Sequence, residues 1–206
     1  MSYYSIMLRD LFTSIIDLIV PPRRSELLVR TLTLEELLNL QTEEGLPYHD
    51  SRVTALVWEL KYYANRRAAA LAGELLADEL LALAAEEIGT PLLIPVPMHA
   101  ARRRQRGHNQ TELLCKAALK NITGIDYMPN VLIKIKTTIP QQGLDKHLRI
   151  KNVHGSMEVS DASKITGRVC IVVDDVATTG ATLAEASRAL RAAGARRVHT
   201  VALARS

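Results

Sequence analysis

Apolar residues recur along this chain in two distinct periods, and the alternation between them sets the fold class. Val169-Cys170-Ile171-Val172-Val173 is an unbroken apolar run, the pattern of a strand buried on both faces of a parallel sheet. Leu92-Leu93-Ile94 is a shorter run of the same kind, closed by Pro95-Val96-Pro97 because proline cannot serve a central ladder. Residues 131–135 and 197–204 read as further strands. Between these runs the spacing changes to three and four. A helix is predicted from a cap at Asp50 or Ser51 through Trp58-Glu59-Leu60-Lys61-Tyr62-Tyr63. After a break near Asn65, an Ala/Leu/Glu-rich helix over 66–87 stops at Gly89. Helical periodicity returns from Gln110 to Lys120. It returns again from Ala181, where Leu183, Ala186, Leu190 and Ala193 precede a stop at Gly194. The first forty residues suggest two short helices separated by Pro21-Pro22-Arg23-Arg24.

This order predicts an α/β fold: a parallel twisted sheet with helices on both faces over residues 51–206, preceded by a helical appendage over residues 1–50. Residues 136–155 are polar and without periodicity, of a length that marks a mobile functional loop. The apolar stretch Leu11 to Val20 is short and interrupted by Asp17. It reads as an amphipathic helix with Phe12, Ile15, Ile16 and Ile19 on one side, not as a membrane span. With no basic leader or cleavage site, a cytoplasmic location is expected.

A hydrophobic fraction of 48% in 206 residues is ample for a packed core. The two cysteines, Cys115 and Cys170, stand apart from any metal-ligand spacing, so neither a disulfide framework nor a zinc site is expected. The net charge of +4 is unevenly spread: residues 1–101 hold 8 basic and 14 acidic side chains, residues 102–151 hold 11 and 3. A concentrated positive block implies a polyanionic ligand.

The chemistry sits where the long strand ends. Asp174 and Asp175 lead into Val176, Ala177, Thr178, Thr179, Gly180, Ala181 and Thr182, a hydroxyl- and glycine-bearing loop that opens a helix. Strand, tight loop and helix N-terminus make an anion cradle, because unpaired N–H groups and the helix dipole point at whatever occupies it. Two carboxylates would repel a phosphate. They suit a sugar's hydroxyls or a hydrated metal beside it, so the pair and the loop together describe a ribose 5-phosphate. The order of residues fits neither a P-loop nor a dinucleotide fingerprint. Past the second strand, Arg102, Arg103, Arg104 and Arg106 crowd into five positions. Alone this is a solvated basic turn. Following a strand end, it would face the same edge as the acid pair, where guanidinium groups bind pyrophosphate bidentately.

The run from Val169 to Thr182 resembles the signature of type I phosphoribosyltransferases, with Ala177 where a larger aliphatic residue is more usual. Within them the chain resembles the ComF family (ComFC/GntX-like), proteins associated with competence and imported DNA. The resemblance is carried by Pro95-Val96-Pro97 with His99, by Arg106-Gly107 with Asn109-Gln110, and by Thr138, Gln141, Leu144, Arg149, Asn152 and Gly155 in order, with Leu60-Lys61-Tyr62 as the family's helix. It implies binding of phosphoribosyl pyrophosphate with Mg²⁺ and transfer of the sugar to an unidentified base with release of pyrophosphate. Asp174 and Asp175 would line the ribose hydroxyls and metal-bound water, and Val176 to Thr182 the 5-phosphate. Arg102, Arg103, Arg104 and Arg106 would meet the pyrophosphate, with Lys136, Thr138, Gln141 and Arg149 on a flexible loop.

The chain departs from the family in two places. The N-terminal zinc module is lost, since Pro21-Pro22-Arg23-Arg24 stands where relatives have Pro-Pro-Arg-Cys, and Lys134 and Lys136 stand where arginine is common. Trp58, Tyr62 and Tyr63 read first as helix packing and otherwise as part of a hood over the base. The competing function is a non-catalytic module that senses the ligand or handles single-stranded DNA, with single-stranded DNA or competence proteins as partners. Against it, the basic block contains only Tyr127 for stacking.

Overall fold

The computed structural model describes residues 22–136 and 152–206. Two short helices come first, α1 (Arg24–Thr31) and α2 (Leu34–Leu38). The second starts on a capping box in which the Thr33 side chain accepts from Glu36 N and the Glu36 side chain accepts from Thr33 N. Both follow Pro22, and the amphipathic stretch over residues 11–20 lies outside the described residues. Strand β1 (Leu46–Pro47) precedes α3 (Ser51–Tyr63), which Asp50 caps by accepting from Arg52 N at 2.8 Å. Ala64 turns left-handed at φ 48°, and Asn65 then caps α4 (Arg66–Ala85) through Arg67 N and Ala68 N. The expected break at Asn65 is therefore two caps placed back to back.

The sheet contains β1, β2 (Leu92–Pro95), β3 (Asp126–Tyr127), β6 (Val169–Ala177) and β7 (Arg197–Arg205), in the order β1-β7-β6-β2-β3, every pair parallel. The parallel sheet expected from the apolar runs is present. β1 and β3 escape a sequence reading because two residues carry no period. Alternation along β6 divides the core. Ile171 and Val173 join α1 to α4 and the helix α6 (Gln110–Ala118) on one face. Cys170 and Val172 join Leu183, Ala186 and Leu190 of α7 (Ala181–Ala192) on the other.

Residues 131–135 behave differently from expectation. Strand β4 (Leu132–Lys134) does not enter the parallel sheet; it pairs antiparallel with β5 (Met157–Val159). This hairpin flanks the 136–155 segment and packs on α7, where the buried Glu185 carboxylate accepts from Met157 N at 3.3 Å. The arginine-rich stretch is likewise not a turn but a helix, α5 (Ala100–Arg106), stopped by Gly107 at φ 83°. Asn109 then caps α6, so the Arg-Gly-x-Asn spacing is a helix stop followed by a helix start.

Candidate functional site

β2 and β6 are adjacent and parallel, yet the chain leaves them in opposite directions: β2 continues to β3 on one side, β6 to β7 on the other. Such a switch point leaves a crevice beyond the carboxyl ends of the two strands, the position at which open α/β sheets bind ligands. Pro95 of β2 is level with Val173, so Asp174 and Asp175 are the first residues of β6 past the end of its neighbour.

The two acids lie side by side but have different partners: Asp174 Oδ1 accepts from Asp175 N at 2.9 Å. Asp174 borders a concavity of about 200 Å³ whose wall is completed by the continuous run from Val176 to Leu183. The helix behind that run, α7, begins at Gly180 in the left-handed conformation with no side-chain cap hydrogen bond. Thr179 Oγ1 is 3.4 Å from Ala181 N, and a Cβ on Gly180 would meet nothing within 4 Å. An uncapped helix start facing open space is a site for an anion. Burial and the neighbouring Asp175 carboxylate push Asp174 well above the usual carboxylate range.

Asp175 is already engaged. Its Oδ1 accepts from Val176 N at 3.0 Å, and its Oδ2 lies 3.0 Å from Nζ of Lys61 on α3. Apart from that ion pair, Oδ2 has no hydrogen-bond partner among the described residues. Burial opposes the charge on Lys61, but Asp175, Asp174 and Tyr48 together outweigh it and raise its pKa. The expectation that both acids meet the ligand thus encounters a geometry in which only Asp174 borders the concavity.

Of the four arginines, Arg102 is the one whose charge acts on Lys134: burial and then Arg102 depress the Lys134 pKa, while Asp174 acts to raise it. Arg103 is held away in a bidentate pair with Glu112, and Arg104 is exposed. Arg106 bonds Gln110 at 3.0 Å and lies over the Tyr62 ring at 4.9 Å. A helix turns about 100° per residue, so four arginines within five positions cannot all share one target. Lys136 lies at the base of the hairpin, where a Cβ on Gly155 would be 3.3 Å from its Nζ. Thr138, Gln141 and Arg149 lie outside the described residues.

Lys61 and Lys134 are the groups that sequence reasoning did not place in the site. Each had a signal, Lys61 in the Leu-Lys-Tyr motif and Lys134 as a departure from arginine, but neither signal says what the side chain approaches. The aromatics correct another expectation. Trp58, Tyr62 and Tyr63 remain 46%, 46% and 44% exposed, so they do not pack the helix into the core. The Trp58 and Tyr62 rings meet at a tilt of 46° with centroids 4.4 Å apart, and the Arg23 guanidinium lies 3.4 Å over Tyr63.

Among the described residues, no helix is long and apolar enough to cross a membrane, and no group of three or more His, Cys, Asp or Glu side chains could hold a metal ion.

Comparison with known proteins identifies residues 62–206 as a phosphoribosyl transferase domain. The DNA utilization protein YhgH of Salmonella typhi is 31% identical over 157 residues, which are 75% of this chain and 67% of that protein. Competence protein F of Haemophilus influenzae is 34% identical over 115 residues, 55% of this chain and half of that protein. Among solved structures, the hypoxanthine phosphoribosyltransferase of Trypanosoma cruzi gives a TM-score of 0.42 at 13% identity, covering 66% of this chain and 64% of that one.

Proposed function

The chain belongs to the phosphoribosyl transferase domain family, in its ComF group, and from that premise we propose that it binds phosphoribosyl pyrophosphate and transfers the phosphoribosyl group to a base. The observation that carries this reading is the uncapped start of α7 with Asp174 beside it, at the switch point between β2 and β6.

Each residue then has a task. Backbone N–H groups of the 177–182 loop and the Thr179 hydroxyl take the 5-phosphate, whose charge the α7 dipole favours. Asp174, buried and with Oδ1 accepting from Asp175 N, meets a ribose hydroxyl with its other oxygen. Arg102 and Lys134, with the 136–149 segment, take the pyrophosphate at the other end of the sugar. Holding both ends exposes the anomeric carbon between them, and the cationic groups neutralise the charge that builds on the departing pyrophosphate.

A resident Mg²⁺ does not suit the donor set. Asp174 and Asp175 have Lys61 beside them, and the described residues supply no third metal-binding side chain. The arrangement suits a cation that arrives bound to the ligand's own phosphate oxygens and keeps several waters.

Calorimetry with phosphoribosyl pyrophosphate and Mg²⁺ tests the binding, and pyrophosphate release across a panel of bases tests the transfer. Thr179→Ala should weaken binding about tenfold, the worth of one charge-assisted hydrogen bond. Unchanged affinity in both Thr179→Ala and Asp174→Asn would remove the proposed site.

One observation favours a second reading, handling of single-stranded DNA. The exposed pair Trp58–Tyr62 lies beside Arg106, so tertiary structure supplies the aromatic surface that the basic block itself lacks. The DNA-related names of the two curated relatives point the same way. Trp58 is the chain's one tryptophan, so quenching of its fluorescence by an oligonucleotide reports contact directly. Salt-sensitive quenching without pyrophosphate release would favour this reading over the enzyme.

A further inference from the structure

We propose that Lys61 is a positioning residue that occupies the Asp175 carboxylate, so that the acid pair does not take up a free divalent cation. This deepens the reading of the same site, but its test needs no sugar phosphate.

Three observations carry it. The Asp175 carboxylate is aimed: Val176 N fixes Oδ1, which leaves Oδ2 directed at Lys61 Nζ, 3.0 Å away. The pair joins elements far apart in the chain, α3 and β6, so it is a tertiary contact beside Asp174 rather than a local turn. Finally, the Asp175 side chain is 6% exposed while that of Lys61 is 27% exposed, so solvent reaches the cation and the carboxylate lies behind it.

Two adjacent carboxylates at a strand end would otherwise attract Mg²⁺ or Ca²⁺ from solution, because hard oxygen donors carrying concentrated negative charge define sites for those ions. An ammonium within 3.0 Å already supplies one unit of positive charge there. A second cation would have to displace it or sit beside it against repulsion. Asp174 is left for a neutral hydroxyl, with which Lys61 does not compete. The acid pair therefore selects a polyol, accompanied by whatever cation that ligand carries, over a bare metal ion.

The experiment is a titration of the ligand-free protein with Mn²⁺, followed by the electron paramagnetic resonance signal of free Mn²⁺. The wild-type chain and Lys61→Arg, which keeps the charge, should bind Mn²⁺ only weakly. Lys61→Met and Lys61→Gln should each bind one Mn²⁺ at least about tenfold more tightly, and adding Asp175→Asn to either should abolish the gain. Using two neutral variants keeps the test usable if one folds poorly, as judged by circular dichroism. Absence of a gain in the folded neutral variants, or wild-type affinity equal to theirs, overturns the proposal. If the gain appears but phosphoribosyl pyrophosphate does not bind the wild type, the role of Lys61 stands and the transferase reading falls. The converse result leaves the transferase and removes the role of Lys61.

Discussion

Replacing Gly73 with alanine sets two effects of opposite sign against each other, and the structure decides between them. Gly73 lies inside helix α4, where glycine costs about 0.8–1.0 kcal/mol relative to alanine, so propensity alone expects stabilisation. A Cβ at this position, however, would meet the Ala117 Cβ at 2.6 Å, the Ala117 carbonyl carbon at 2.8 Å and the Ala118 N at 2.8 Å. Carbon atoms prefer separations of roughly 3.5–4.0 Å, so α4 and α6 must move apart by about 1 Å, and two of the three obstacles are backbone that no rotamer change can remove. Overpacking of this kind costs typically 1–3 kcal/mol. Net destabilisation of about 1 kcal/mol is expected for Gly73→Ala and more for Gly73→Val. Urea unfolding followed by circular dichroism measures it directly. Adding Ala117→Gly removes the nearest atom but not the carbonyl carbon or the Ala118 N, so it should rescue only part of the loss. A higher urea midpoint for Gly73→Ala than for the wild type would refute the close approach of these helices.

Asp174→Asn should raise thermal stability while weakening binding of the sugar phosphate, because it removes a carboxylate whose charge burial and Asp175 oppose and replaces one of its two accepting oxygens by an N–H donor; thermal melts and calorimetry on one preparation check both signs. Asp50 is held down at about 2 by the Arg52 side chain, against roughly 3.9 unfolded. A depressed carboxylate stabilises above its unfolded pKa and loses that contribution as pH falls through the folded one. Discounted for its partial exposure, the cap should contribute about 1 kcal/mol at pH 7, so the stability gap between wild type and Asp50→Ala should shrink between about pH 4 and pH 2 in urea titrations. Arg102→Ala should lower affinity for pyrophosphate about tenfold and leave stability within roughly 0.5 kcal/mol. Arg103→Ala should do the reverse, losing roughly 1–3 kcal/mol because the nearly buried Glu112 carboxylate is left without its partner. Pyrophosphate titrations paired with urea curves separate the two arginines.

What could be read from residues alone were the features whose cause is local. The five apolar residues before Asp174 dictate a doubly buried strand, the Thr-Thr-Gly-Ala-Thr run dictates a loop opening a helix, and the chain near Asn65 marks a break between helices. Each follows from the steric and hydrogen-bonding habits of a few neighbouring residues, so the parallel architecture and the loop that opens α7 were legible in the sequence. What stayed hidden depends on which distant segments approach one another. Four arginines look equivalent in a string, but the turn of α5 commits Arg103 to Glu112, brings Arg106 to Tyr62 and leaves Arg102 to share a field with Lys134. The two aspartates look like a matched pair, but Asp174 borders the concavity while Asp175 is paired with Lys61, more than a hundred residues earlier in the chain. Strand 131–135 has the right composition for the sheet, and the free edge of β5 claims it instead. Sequence patterns record the period of an element and the chemistry it carries. Partnership is a competition among all surfaces of the folded chain, and packing settles it.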